Sequence, residues 1–413
     1  MARTFTMDCF LGKASHELLD VYFTNRRITL PVMPSQVRAD DPDGTNALMR
    51  GIMALPTKER EEVETDCYEL FYLGNNAGID ELVRIGASGK TGAVIDLTPE
   101  LEPWPVLHDK ALWTMLHHYP IFALASERMK VLEVKGYRHA KVGVPAQPPA
   151  TDQATCQRLA EAVKAYYVRQ GRGEQCAVRS YAHGEMTYYC AYPLDYALRE
   201  PTYLPDGTLV FTPQRDTFDL IWRLNHQSGR LGIHAPDLVG PVFHDLVELF
   251  VAAVITTPVT ISEPAFELEC LRTVSDEALL AQAKELFADV EDVRLKELSL
   301  QLNHLGGQYV TLGTGRDHSR PWVPMPEFQQ RTLNHQDPIL AQPAVAGATL
   351  QVKFPGKGKR GSVTARLKAP STCYLDDTPN ARKVMRLLEH WGIDRGRRTT
   401  YQPAPPADTA GSL

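Results

Sequence analysis

The sequence predicts an α+β protein, with a helical N-terminal region followed by antiparallel β-hairpins with interspersed helices. Three features predict it. Before residue 130 apolar residues recur mainly at helical spacing, whereas after residue 170 they alternate with polar ones in short paired runs. Between those runs lie isolated helical stretches, without the regular strand-helix alternation that builds a parallel sheet.

Ser15 is placed to cap a helix carrying Leu18, Leu19, Tyr22 and Phe23. Thr57 is placed to cap another, whose first turns hold Glu59, Glu61 and Glu62, where acids suit the helix dipole. Ile79, Leu82, Val83 and Ile85 keep helical spacing, and residues 93–97 then read as a short strand. A helix over 110–128 should kink or split at Pro120, and 131–144 reads as strand-like. The stretch Val144-Pro145-Ala146-Gln147-Pro148-Pro149 is the clearest linker, because closely spaced prolines resist both helix and central strand.

A helix near 157–169 precedes four candidate hairpins: 176–192, 218–233, 298–312 and 350–367. Helices near 241–255 and 275–287 lie between them. The implied organisation is a mainly helical domain over 1–144, a hairpin-rich α+β domain over 152–345, and a basic hairpin plus helix over 346–400. That last segment either joins the same sheet or stands apart. Residues 401–413, rich in proline and small residues, should be a disordered tail.

Composition bounds the class. Apolar residues make up 43% and charged residues 23%, the balance of a globular protein, and no apolar run is long enough to span a membrane. The N-terminus has no apolar signal core, so a cytoplasmic location is expected. Seven cysteines, at 9, 67, 156, 176, 190, 270 and 373, include no C-x-x-C pair and read as free thiols. Whether Cys176 and Cys190 share a hairpin face depends on the turn register.

Gly89-Lys90-Thr91 resembles the end of a phosphate loop, but residue 84, where the first glycine belongs, is arginine. The flanks also run helix, loop, strand rather than strand, loop, helix, so the glycines mark a helix stop and a turn.

Charge is distributed unevenly. Residues 351–400 hold twelve Lys or Arg against four Asp or Glu, net +8, while residues 1–350 hold 32 against 45, net −13. If Leu350, Val352, Phe354, Val363, Ala365 and Leu367 face a core, period-2 alternation turns Lys353, Arg366 and Lys368 outward. The connecting turn adds Lys357, Lys359 and Arg360. A well-punctuated helix follows, with Thr378 as cap, Pro379 at the first position and Gly392 past the end. Its apolar stripe of Val384, Leu387, Leu388 and Trp391 leaves Arg382, Lys383 and Arg386 towards solvent, with Arg395, Arg397 and Arg398 beyond.

Such cations suit backbone phosphates, and the scarcity of aromatics among them favours backbone contact over base stacking. The leading expectation is therefore a non-catalytic nucleic-acid-binding protein or subunit, using Lys353, Lys357, Lys359, Arg360, Arg366, Lys368, Arg382, Lys383 and Arg386, with the N-terminal helices available to partner subunits. A scaffold subunit docking an acidic protein is the alternative. A third reading is a hydrolase with an unrecognised His/carboxylate site. His244 and Glu248 lie one helical turn apart beside Asp245, and His226 and His304 sit in two similar Leu-Asn-His turns, with a third such tripeptide ending at His335. His117, His118 and His318 show no metal-ligand spacing, and no cofactor, metal or catalytic residue is assigned.

Overall fold

The computed structural model describes residues 5–37, 41–134, 136–143, 149–204, 206–236, 238–263, 265–302, 308–313, 323–333, 343–356, 361–370, 372–375 and 378–401. They form an α+β fold of two compact units, Met1–Val134 and Lys135–Leu413.

The N-terminal unit is helical: α1 (Met7–Leu11), α2 (His16–Asn25), α3 (Pro42–Met53), α4 (Thr57–Leu73), α5 (Asn76–Ser88), α6 (Thr98–Leu101), α7 (Leu107–His117) and α8 (Tyr119–Leu132). Phe10, Leu19, Phe23, Leu48, Leu70, Leu82, Leu112 and Phe122 meet in its core. Ser15 occupies the cap position of α2, though its hydroxyl makes no capping bond, and Thr57 is the first residue of α4 rather than its cap, behind Pro56. Pro120 divides the 110–128 stretch into α7 and α8, because a proline amide and ring are tolerated only in a helix's first turn. Residues 93–97 are a correction: they form no strand. The chain closes α5 with Gly89 at φ +64°, then returns so that Ile95 N donates to Gly86 O at 2.9 Å. No helix follows that loop directly, so the Gly-Lys-Thr turn has no phosphate-loop geometry.

In the C-terminal unit the chain runs β1 (Arg138–Val142), α9 (Gln153–Val168), β2 (Cys176–His183), β3 (Met186–Tyr203), β4 (Leu209–Thr217), β5 (Leu220–Asn225), β6 (Arg230–His234) and α10 (Gly240–Phe250). It continues through β7 (Val259–Glu263), α11 (Asp276–Leu286), β8 (Asp292–Gln301), β9 (Tyr309–Gly313), α12 (Met325–Thr332), β10 (Ala344–Lys353), β11 (Ser362–Lys368), β12 (Thr372–Tyr374), α13 (Pro379–His390) and β13 (Arg397–Tyr401). One antiparallel sheet has the order β13-β7-β1-β6-β5-β3-β2, with β4 pairing the outer half of β3. The second, also antiparallel, has the order β12-β11-β10-β8-β9. Leu159, Val163 and Tyr167 of α9 and Phe243, Leu246 and Phe250 of α10 pack on one face of the first sheet around Trp222. Leu279 and Ala283 of α11 and Val384, Leu387 and Leu388 of α13 pack on the second sheet against Leu350, Val352, Ala365 and Leu367.

Long-range pairing redraws the expected boundaries. Helix α8 runs to Leu132, and the strand expected over 131–144 contracts to β1, which pairs with β6 and β7 of the C-terminal unit. Residues 144–148 of the proline-rich stretch lie outside the described residues, and elements of the same unit flank them on both sides. The 346–400 segment is not separate. Strand β10 pairs with β8, while β13 crosses to the other sheet as its edge strand and includes Tyr401, which the sequence assigns to the tail. Residues 402–413 lie outside the described residues. Cys176 pairs with Pro193 and Cys190 with Arg179, so the two thiols do not face one another, and all seven cysteines are free. Among the described residues no helix is long and apolar enough to cross a membrane.

A candidate anion-binding cleft

Helix α13 forms because Thr378 Oγ1 accepts from Ala381 N at 3.2 Å and Pro379 needs no donor in the first turn. Gly392, at φ +69°, ends it. Burial of Val384, Leu387 and Leu388 against the second sheet then decides where its cations go, and they divide the expected basic surface. Arg366 and Lys368 alternate with the buried Ala365 and Leu367, so they leave the sheet on the side away from α13. Lys353 is on that same outer face, with Nζ 3.2 Å from Asp292 Oδ2. Arg382, Lys383 and Arg386 lie on the helix side. Strand and helix cations therefore do not form one surface: they occupy opposite sides of one packed layer. Lys357, Lys359 and Arg360 lie outside the described residues.

Carboxylates of the same chain meet several of the helix cations. Arg382 Nη1 is 2.9 Å from Glu185 Oε2, and Lys383 pairs with Asp289 while lying over the rings of Phe287 and Phe354. Arg386 stacks on Phe287 at 5.2 Å. These contacts orient the side chains, and on a solvated surface each ion pair contributes little stability.

A different set of cations converges instead. Between α13 and the β6-β1-β7-β13 half of the first sheet lies a cleft of about 730 Å³. Its cationic lining is Lys141, Arg230, Arg382, Arg386, Arg395 and Arg398, against the carboxylates Glu263, Glu389 and Asp394. Sheet register explains the convergence. Arg230 is directly opposite Lys141, Lys141 opposite Ser262, and Ser262 opposite Arg398. Residues in register across antiparallel strands share a face, so β6, β1, β7 and β13 present one row with three cations in four positions. Lys141 and Arg398 are exposed and, like Arg386, have no ion pair among the described residues.

Two of the cleft's acidic groups, Glu263 and Asp394, are held by specific partners. His244 Nδ1 is 2.6 Å from Glu263 Oε1, and its Nε2 is 3.2 Å from Glu248 Oε1. The hydrogen bond that the imidazole donates to Glu263 raises the His244 pKa; burial opposes it, and the charges of Glu263, Glu248 and Asp245 add to the rise. Asp394 accepts from Ala265 N and Gly396 N, both at 3.0 Å, yet burial outweighs those bonds and raises its pKa. Arg395 is 2.8 Å from Glu267. At the floor, buried His139 donates through Nε2 to Leu375 O at 3.2 Å, and burial with Arg230 and Arg223 close by keeps its ring neutral.

The other histidines have local roles or fall elsewhere. His117 Nδ1 bonds Trp113 O and its ring stacks on that indole, while His118 pairs with Glu100 at 3.0 Å. In the β5-β6 turn, Asn225 Oδ1 accepts from Gln227 N and Ser228 N, a backbone-shaping use of the Asn-His turn. His304, His318 and His335 lie outside the described residues. Among the described residues no three His, Cys, Asp or Glu side chains are grouped to hold a metal ion. Compared with models of known protein families and with curated proteins, the chain matches none.

Proposed function

We propose that this chain binds nucleic acid without acting on it chemically, holding the phosphate backbone in the cationic cleft of its C-terminal unit. The row Arg230, Lys141, Ser262, Arg398 carries the reading. Like charges directly opposite in a sheet destabilise it, typically by a few tenths to about 1 kcal/mol. Three cations in one four-residue row are best accounted for by an anionic ligand that offsets their repulsion. Ser262 supplies a hydroxyl between Lys141 and Arg398, and Arg386 adds a cation from the opposite wall. Serine and arginine are both common phosphate partners, and neither needs a particular base.

Fluorescence anisotropy with labelled single-stranded and duplex oligonucleotides, at two salt concentrations, tests this. Four phosphate contacts imply a log-log salt slope of roughly −4 on duplex and −3 on single strands. Lys141→Glu/Arg398→Glu should abolish binding, while Arg366→Glu/Lys368→Glu, on the far side of the other sheet, should leave it intact. Wild-type protein that binds no probe even at low salt would falsify the reading. Displacement of a bound oligonucleotide by polyglutamate at equal charge concentration would favour an acidic protein partner.

A further inference from the structure

Beyond the first sheet, the outer half of β3 and all of β4 continue as a two-stranded arm. A register shift between Leu194 and Ala197 marks where β3 leaves its neighbours. The root is fixed: the Arg172 guanidinium lies over the rings of Tyr167, Tyr196 and Phe218 at 4.9, 5.4 and 4.7 Å, and pairs with Asp195 at 3.1 Å. Beyond it the ribbon is exposed on both faces, with Tyr203 72% and Phe211 62% exposed. Two strands alone bury too little to justify exposed aromatics, so the arm's composition points to something it touches.

The register sorts its side chains. Tyr203 is opposite Leu209, Pro201 opposite Phe211, Arg199 opposite Pro213, and Ala197 opposite Arg215. All eight share one face, which carries two aromatics and two arginines and no carboxylate. Glu200 and Asp216 alternate onto the other face, and Asp206 lies in the terminal turn. Leu204 N donates to Thr208 O, which puts the Pro201 and Pro213 positions in non-hydrogen-bonded pairs, where their backbone nitrogens point to the ribbon's outer edges. Each edge therefore lacks a donor, so a second copy of the chain would not add readily as a further strand, and contact is through the face.

We propose that this face is a stacking platform for unpaired bases of a single-stranded nucleic acid, with Tyr203 and Phe211 against the bases and Arg199 and Arg215 on the phosphates. This rests on the nucleic-acid reading and adds to it a substrate form, since aromatics interleaved with cations favour single strands and the cleft lining has no Phe, Tyr or Trp. Charge segregation selects the occupant: an acid-free face with two arginines repels a basic partner and attracts an anionic one, and the exposed rings between the arginines suit an anion that also carries flat faces, as unpaired bases do. Arg215 is 3.5 Å from Glu174 in an exposed pair that a phosphate can displace, and Arg199 has no ion pair among the described residues.

Tyr203→Ala/Phe211→Ala changes only exposed side chains, and circular dichroism should match wild type. Wild type should bind an unpaired oligothymidylate more tightly than the same length of duplex, and the double variant should lose about thirtyfold or more on the single strand and little on the duplex. Tyr203→Trp should retain binding. If wild type binds nucleic acid but the double variant binds the single strand equally well, the platform is overturned and the cleft reading stands. If wild type binds neither probe, both fall. A concentration-dependent dimer that the double variant dissociates, with oligonucleotide affinity unchanged, would assign the face to a second copy instead.

Discussion

Nδ1 of His244 lies 2.6 Å from Oε1 of Glu263, a carboxylate that lines the cationic cleft. Protonated, the imidazole offsets that carboxylate and Glu248 together. The folded-state pKa of His244 is raised, so its stabilisation is fully present below the unfolded value of about 6.5 and is lost as pH rises through the raised folded value. Thermal unfolding of wild type and His244→Gln should differ most at pH 6 and converge towards pH 9. Oligonucleotide affinity should fall over the same interval, as Glu263 regains an uncompensated charge.

Lys141 is opposite Arg230 and shares the row with Arg398, so removing its charge relieves repulsion. Lys141→Thr should leave stability unchanged or raise it by a few tenths of a kcal/mol while weakening anion binding. Inorganic phosphate at high concentration should raise the melting temperature of wild type more than that of the variant, because a ligand stabilises only the state that binds it.

Thr378 caps the helix that carries Arg382 and Arg386. Thr378→Ala should cost about 1 kcal/mol, read as a lower urea midpoint at unchanged slope, and Thr378→Ser should restore most of it.

In the N-terminal unit, buried Glu81 accepts from Arg84 Nε at 2.9 Å and lies 3.4 Å from Nη1 of the buried Arg128. Arg84 stands where a phosphate loop would have glycine, and here it serves this ion pair. Glu81→Ala should destabilise by about 3–5 kcal/mol, since it removes the carboxylate partner of a buried ion pair. Chemical denaturation of residues 1–134 within the full chain, followed by tryptophan fluorescence, measures it.

Local patterns were legible wherever burial follows a simple period. The α13 cap, proline, stripe and terminal glycine are all where the sequence puts them, as are the β10-β11 alternation and the division at Pro120. Strand β4 was missed because neither of its faces is buried, which removes the alternation that identifies a strand. Residues 93–97 have strand composition but no partner strand, and composition alone does not supply a ladder.

By itself the sequence determined the α+β class, the helical N-terminal region, the free thiols, the excess of positive charge near the C-terminus and the unfitness of Gly-Lys-Thr as a phosphate loop. Which cations act together was decided only by tertiary structure. Lys141, Arg230 and Arg398 are distant along the chain and enter one row because three strand registers align them, whereas Arg366 and Arg386, only twenty residues apart, are driven to opposite sides by the core between them. Period and capping depend on neighbours a few residues away, but pairing register is set by the burial of whole faces, which no local stretch of sequence contains.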